Sequence, residues 1–115
     1  MNLLDRISRV KEKIDSALKQ SNRGDSITIV AATKSRNPET IETCIHNGIV
    51  DIGENRVQDA GKKFSAVEPK LVYKRRMIGH LQTNKINKAL RIFDTIDSVD
   101  SLRIAKQLSN KLKHT

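Results

Sequence analysis

Apolar and polar positions follow two different rhythms along this chain. Between about residues 2 and 20, apolar side chains recur every three or four positions, which predicts one amphipathic helix. The polar residues Asn22 and Arg23, followed by Gly24, are expected to end it. Residues 27–32 then form a continuous apolar and β-branched run, typical of a strand buried on both faces in a parallel sheet.

The remaining sequence repeats a strand and helix pattern. Asn37 and Pro38 predict an N-cap and first turn of a second helix, which is expected to bury Cys44 and to end at Gly48. The later segments are predicted as a strand at 49–53, a helix at about 55–67, a strand within 71–79, a helix at 83–91, a strand at 93–96 and a helix at 101–113.

The last predicted helix has its own cap and apolar stripe. Asp100 is expected to be the N-cap, because the helical periodicity begins directly after it. The side chains expected to face inward are Leu102, Ala105, Leu108 and Leu112.

Strands that alternate with helices at such short intervals require parallel pairing, because each right-handed crossover returns the chain in the same direction. The fold class is therefore α/β. Predicted strands start near residues 27, 49, 72 and 93, so four βα units follow the first helix. Four units fit either an open doubly wound sheet or part of a closed eight-stranded barrel. No glycine-rich nucleotide motif follows any strand, which weakens the nucleotide-binding form of the open sheet.

Composition narrows the function classes. A chain of 115 residues predicts a single domain, and its net charge of +9 favours acidic partners such as phosphates, nucleic acid or a lipid surface. Aromatic residues make up only 3%, which argues against a base-stacking platform for single-stranded nucleic acid.

Cys44 is the sole cysteine, so neither a disulfide nor a cysteine metal site is expected. With no secretory signal and no membrane-length apolar run, the sequence predicts a cytoplasmic protein that does not contact membranes.

Polar residues follow the end of every predicted strand. In parallel α/β folds the functional groups gather at the carboxyl ends of the strands, so these segments are expected to meet on one rim. They comprise residues 33–36, 53–56, 79–85 and 97–100.

Lys34 is the most reactive candidate on this rim. It leaves an apolar strand, and an ammonium in a partly dry pocket would have a lowered pKa and a free amine able to condense with an aldehyde. The alternative is that Lys34 simply ends the strand in solvent, as most lysines do.

Other rim residues also have two interpretations. Asn55 and Asn84 could hold a ligand oxygen or cap the following helix. His80 could titrate near neutral pH or pack. Gly53 and Gly79 would let the backbone approach a ligand closely, but glycine is also an ordinary turn residue after a strand.

A basic segment at 70–76, together with Lys62 and Lys63, suggests contact with nucleic-acid phosphates. A solvated basic face is the simpler interpretation. The segment enters the third strand at its amino end, so its charges are expected on the rim opposite Lys34.

Four segments in this order resemble the pyridoxal-phosphate homeostasis protein family, the YggS-like proteins related in fold to the amino-terminal domain of alanine racemase. The resemblance covers essentially the whole chain. The segments are VAATKS around Lys34, GENRVQD from Gly53, IGHLQTNK from Ile78 and DSVDSLRIAKQL from Asp97.

The resemblance implies a (β/α)8 TIM barrel preceded by an extra helix, with pyridoxal 5'-phosphate held as a Schiff base on Lys34. Asn55 matches the family residue beside the cofactor, and His80 belongs to a family signature without an assigned role. No catalytic and no metal-binding residue is implied. The family is associated with intracellular vitamin B6 homeostasis, including delivery of the cofactor to apo-enzymes that use it, and has no established turnover.

This sequence departs from the family in two respects. Arg75, Arg76 and Met77 stand where the family commonly has an aromatic residue and a histidine. The sequence also stops after the fourth βα unit, so residues 1–115 are expected to form a single partial barrel, the amino-terminal half, without the phosphate-binding loops of the later strands. Unpaired sheet edges predict that such a half barrel self-associates.

Two other functions are kept as alternatives. One is a racemase-like pyridoxal-phosphate enzyme acting on amino acids, which would need a second acid or base group that this sequence does not clearly supply. The other is a basic nucleic-acid-binding module, favoured only by the charge.

Overall fold

The computed structural model describes residues 2–21 and 27–113. The break expected at Asn22 to Gly24 lies outside these residues. No helix within the two ranges is long and apolar enough to cross a membrane. The elements are α1 (Leu3–Ser21), β1 (Val30–Ala32), α2 (Pro38–His46), β2 (Asp51–Glu54), α3 (Val57–Ser65), β3 (Lys74–Met77), α4 (Ile86–Ile92, after a 3-10 turn at Thr83–Lys85), β4 (Thr95–Ile96) and α5 (Leu102–Leu112).

The four strands form one parallel sheet in the order β1-β2-β3-β4. The predicted α/β class and four βα units are therefore confirmed. Because consecutive strands are neighbours and right-handed crossovers connect them, α2, α3 and α4 lie on the same side of the sheet. The register places Ala32 beside Gly53 and Gly53 beside Arg76, so the carboxyl ends of the strands reach one rim together.

The second helix begins and ends where its sequence predicts. The Asn37 side chain accepts a hydrogen bond of 3.0 Å from the Thr40 backbone N–H, and Pro38 occupies the first turn. Gly48 follows with a φ of 84°, a left-handed conformation that ends helices because glycine adopts it without strain. Cys44 is buried on the inward side, as expected, and burial raises the pKa of its thiol.

The last helix differs from its prediction in two ways. Ser101, and not Asp100, is the N-cap, since its hydroxyl accepts from the Ile104 N–H at 3.2 Å. Ile104 and Leu108 are the buried residues of α5, whereas Leu102 is 70% exposed. Leu112 is also 56% exposed, so the prediction that Leu102 and Leu112 face inward was wrong, while Leu108 is buried as expected. Within the described residues no further βα unit packs against the exposed part of this helix.

The core lies between the helices and one face of the sheet. On that face Ile52 is fully buried and Met77 is 1% exposed. On the opposite face Val30 and Ile78 are each 37% exposed, so this face lacks a covering layer in the described chain.

The strands are shorter than predicted, because the apolar runs of the sequence extend beyond the residues that pair in the sheet. Ile27, which was expected in the first strand, lies before its first paired residue and is 52% exposed.

Candidate functional site

The loops after β2, β3 and β4 contact one another on the carboxyl rim. A Cβ added to Gly79 would lie 2.6 Å from both the Cβ and the carbonyl oxygen of Asn55, so the loop after β3 lies directly against the loop after β2. The Ser98 hydroxyl donates to the Gly79 carbonyl, which brings in the segment after β4. The segments that follow β2, β3 and β4 therefore meet on one rim, as the sequence predicts.

Lys34 lies in a tight turn directly after β1. The Thr33 carbonyl accepts a hydrogen bond of 3.1 Å from the Arg36 N–H, and Ser35 has a φ of 61°. A left-handed residue at the third turn position is usually glycine, so the serine carries local strain, which is more common at functional sites than elsewhere.

The Lys34 side chain is exposed and makes no hydrogen bond or ion pair within residues 2–21 and 27–113. The partly dry pocket expected around it is not formed in the described chain. The reason is the uncovered face of the sheet: four strands curve around no closed lumen, so water reaches the rim.

A buried polar cluster lies behind this turn. The Glu54 carboxylate is 2% exposed and accepts from the Lys63 ammonium at 3.0 and 3.1 Å and from the Thr33 hydroxyl. The same ammonium donates to the Thr33 carbonyl at 2.7 Å. The placement of Lys63 in a solvated basic patch was therefore wrong, because α3 turns this side chain toward the sheet, where it is only 10% exposed.

Asn55 does not cap the helix that follows it. The N-cap position of α3 is Arg56, with no side-chain cap hydrogen bond, and the 3-10 turn and α4 likewise begin without a cap from Asn84. Asn55 is exposed beside Gly79 and has no hydrogen-bond partner in the described part of the chain. Its amide therefore has donors and an acceptor available to a ligand.

His80 lies on the same rim and pairs with a residue from the next loop. Its Nδ1 atom is 2.7 Å from the Asp100 carboxylate, and the two side chains are 67% and 49% exposed. His80 is thus neither packed in the core nor directed by a buried partner. The Asp100 carboxylate orients this ring, while the neighbouring residue Ser101 caps α5.

Both arginines of the basic segment form ion pairs with carboxylates of this chain. Arg76 donates to Asp51 at 2.8 Å and to Asp97 at 3.1 Å, and these hydrogen bonds raise the pKa of its guanidinium. Arg75 pairs with Asp94; desolvation would raise the pKa of this carboxyl, but hydrogen bonds from Arg75 outweigh it and lower that pKa.

Both arginines lie inside β3 and not at its amino entrance as expected, and only Lys74 begins the strand. Three of the six cations in this segment and beside it, namely Lys63, Arg75 and Arg76, thus have carboxylate partners, which weakens the case for a phosphate-binding surface there.

Curated proteins similar to this chain share one name. A pyridoxal phosphate homeostasis protein of Aquifex aeolicus is 34% identical over 112 residues, which cover 96% of this chain and 49% of that protein. One from Synechocystis is 39% identical over 83 residues, covering 72% of this chain and 38% of the relative. The chain spans about half the length of the curated relatives it matches. No protein-family model matches it.

Solved structures agree with the fold. A protein of unknown function from Bifidobacterium adolescentis superposes with a TM-score of 0.86 at 33% identity, covering 96% of this chain and 49% of that one. PipY of Synechococcus elongatus, solved with PLP bound, superposes with a TM-score of 0.71 at 29% identity. The match covers 84% of this chain and 47% of the PipY chain. The chain therefore has the architecture of about half of such a protein.

Proposed function

Because the chain belongs to the pyridoxal phosphate homeostasis protein family, we propose that it binds pyridoxal 5'-phosphate through Lys34 and serves vitamin B6 homeostasis in the cytoplasm. One observation carries this proposal. An exposed lysine without an ion-pair partner in the described residues projects from a strained turn on the rim where the other strand ends meet. An unpaired amine is the group that covalent attachment of an aldehyde requires.

The residues present fit the aldehyde end of this cofactor. Pyridoxal phosphate supplies an aldehyde, with which a neutral lysine amine condenses with the loss of one water molecule. Lys34 supplies the amine, and the free Asn55 amide lies on the same rim. The phosphate end has no comparable partner, because no glycine-rich loop leading into a helix follows any of the four described strands. Weak binding is therefore expected from this chain alone.

The two other rim residues have narrower roles in the proposal. The Asn55 amide would hydrogen-bond a polar group of the ligand, since it neither caps α3 nor pairs elsewhere in the described chain. His80, oriented by Asp100, would either contact the ligand from the β3 side or form the wall of the site on that side.

We propose binding and delivery, without catalytic turnover. The curated relatives are named as homeostasis proteins and not as enzymes. Proton transfer on a bound amino acid would need a second acid or base facing Lys34, and His80 is instead exposed and paired with Asp100. Partners would be apo-enzymes that need the cofactor. An exposed attachment point suits delivery to them, because no part of the described chain covers the Lys34 side chain.

A second proposed partner is another copy of the chain. β1 and β4 are the edges of the described sheet, and one face of this sheet lacks a cover within residues 2–21 and 27–113. Two copies related by a two-fold axis could pair β4 of each with β1 of the other, which would give eight parallel strands.

The proposal is tested by trapping and mapping. The protein is mixed with pyridoxal 5'-phosphate, reduced with borohydride and digested, and the adduct at each lysine is quantified by mass spectrometry. We expect the adduct at Lys34 to exceed that at the exposed helix residue Lys62 by at least about tenfold, because Lys34 lies on the rim that also carries the proposed ligand groups of Asn55 and His80.

Matched variants separate a site from general lysine chemistry. Lys34→Arg keeps the charge but cannot condense, so it should abolish the dominant adduct, while Lys62→Arg should leave it unchanged. Adducts spread evenly over the surface lysines, or a total unchanged by Lys34→Arg, would refute the site.

A further inference from the structure

A buried ion pair underlies the turn that presents Lys34, and none of its members touches the exposed amine. Glu54 and Lys63 join β2 to α3, with side chains 2% and 10% exposed. Replacing a buried ion pair by apolar groups of similar size is often neutral or stabilising, so the pair needs an explanation other than fold stability.

The contacts of the pair converge on Thr33, the residue directly before Lys34. The Lys63 ammonium donates to the Thr33 carbonyl at 2.7 Å, and the Glu54 carboxylate accepts from the Thr33 hydroxyl. Main chain and side chain of Thr33 are thus held at once. The Thr33 carbonyl also accepts from the Arg36 N–H at 3.1 Å, so it is the shared acceptor of the turn and of the pair.

This arrangement explains how a strained turn persists. Ser35 has a φ of 61°, and a non-glycine residue stays in that region only when its surroundings fix it. Residues 34–36 of the turn are exposed to solvent, whereas Thr33 is only 2% exposed. The contacts that fix the turn are therefore those made by Thr33.

We propose that Lys63 and Glu54 are positioning residues that hold the turn so that the Lys34 amine faces the rim. This rests on the proposed function of Lys34. The ammonium of Lys63 makes three contacts of 2.7 to 3.1 Å, so Lys63 itself should stay unlabelled in the trapping experiment although it lies close to Lys34 in the fold.

The test variant is Glu54→Gln combined with Lys63→Met. It removes both charges with side chains of similar size, so it leaves no uncompensated buried charge and should fold. Circular dichroism confirms folding, and Lys62→Met, the adjacent exposed lysine, is the matched control.

Two readouts are measured on each protein. The first is hydrogen exchange at the Arg36 amide, which we expect to be faster by at least about threefold in the double variant because the turn opens locally. The second is the ratio of pyridoxal phosphate adduct at Lys34 to adduct at Lys106, an exposed lysine on α5. We expect this ratio to fall about tenfold, since small displacements of a reacting group cost that much or more.

If the double variant is unfolded, Thr33→Val replaces it. That change leaves the ion pair intact and removes only the hydroxyl donor, so a loss of about threefold in the same ratio is expected, as for one hydrogen bond.

Each outcome decides a claim. Unchanged Arg36 exchange in the folded variant overturns the positioning proposal, and so does a Lys34 preference that persists. If the parent chain shows no preference for Lys34 but exchange at Arg36 still accelerates in the variant, then the proposed function fails while the pair still fixes the turn.

Discussion

The contact between Gly79 and Asn55 determines how two of the rim loops meet. A Cβ at position 79 would lie 2.6 Å from the Asn55 carbonyl oxygen and 2.7 Å from its Cα, and these are backbone atoms that cannot turn aside. We expect Gly79→Ala to lower the free energy of unfolding by about 1–3 kcal/mol, the usual cost of forcing extra atoms into a packed contact. Urea denaturation measures it.

Gly61→Ala is the matched control for this substitution. Its added Cβ would lie 3.0 Å from the flexible end of Ile92, and Gly61 is inside α3, where alanine is favoured by up to about 1 kcal/mol. The control is therefore expected to be neutral or stabilising. Equal destabilisation by both changes would show that the close approach at Gly79 has no special cost.

Among single residues, the sequence identified the exposed rim groups but not their buried support. Lys34, Asn55 and His80 could be named because each follows a predicted strand end. Lys63 could not, because its partner Glu54 is nine positions away in another element, and only the packing of α3 on the sheet brings the two together. A single lysine in a Lys-rich helix gives no sequence signal for burial.

At the level of elements, local signals predicted the helices better than the strands. Caps and glycine stops act within a few residues, so α2 begins at Pro38 with Asn37 as its cap. Strand length depends on which residues find a partner across the sheet, and β4 retains only Thr95 and Ile96. The order and parallel pairing were nevertheless predictable, because short crossovers permit little else.

The start of α5 gives an element-level prediction. Ser101→Ala removes the hydroxyl that accepts from the Ile104 N–H, so it should lower the free energy of unfolding by about 1 kcal/mol. Asp100→Ala removes only an exposed partner of His80 and should change it by less than about 0.5 kcal/mol. Chemical denaturation measures the free energy of unfolding of both variants. A larger loss for Asp100→Ala than for Ser101→Ala would show that Asp100, and not Ser101, caps α5.

The whole molecule is more open than its size requires. Its radius of gyration is 16.0 Å, against about 13 Å for a compact chain of this length. Its accessible surface is 8024 Å², about 1,700 Å² more than a compact monomer of 13.0 kDa exposes. A standard protein interface buries about 800 Å² on each partner, so the excess is enough for a stable association.

Apolar side chains mark the surface where a second copy would bind. Beyond β4, Val99 is 49% exposed and lines a shallow apolar groove with Ala105 and Leu108, while Leu102 nearby is 70% exposed. On the first helix, Leu4 and Val10 are 47% and 45% exposed. We expect a second copy paired between β4 and β1 to cover such exposed apolar side chains, and their removal from water would stabilise the pair.

We therefore expect the isolated chain to sediment at about twice 13.0 kDa as its concentration rises between about 1 and 100 μM. Leu102→Glu should shift this equilibrium to the monomer, because it places a charge in the apolar contact without disturbing the core. Val72→Glu is the control, since Val72 is 85% exposed before β3, away from the β1 and β4 edges. A monomer throughout the range, or equal dissociation by both variants, would refute two-fold closure and leave the attachment of pyridoxal phosphate to an open half barrel.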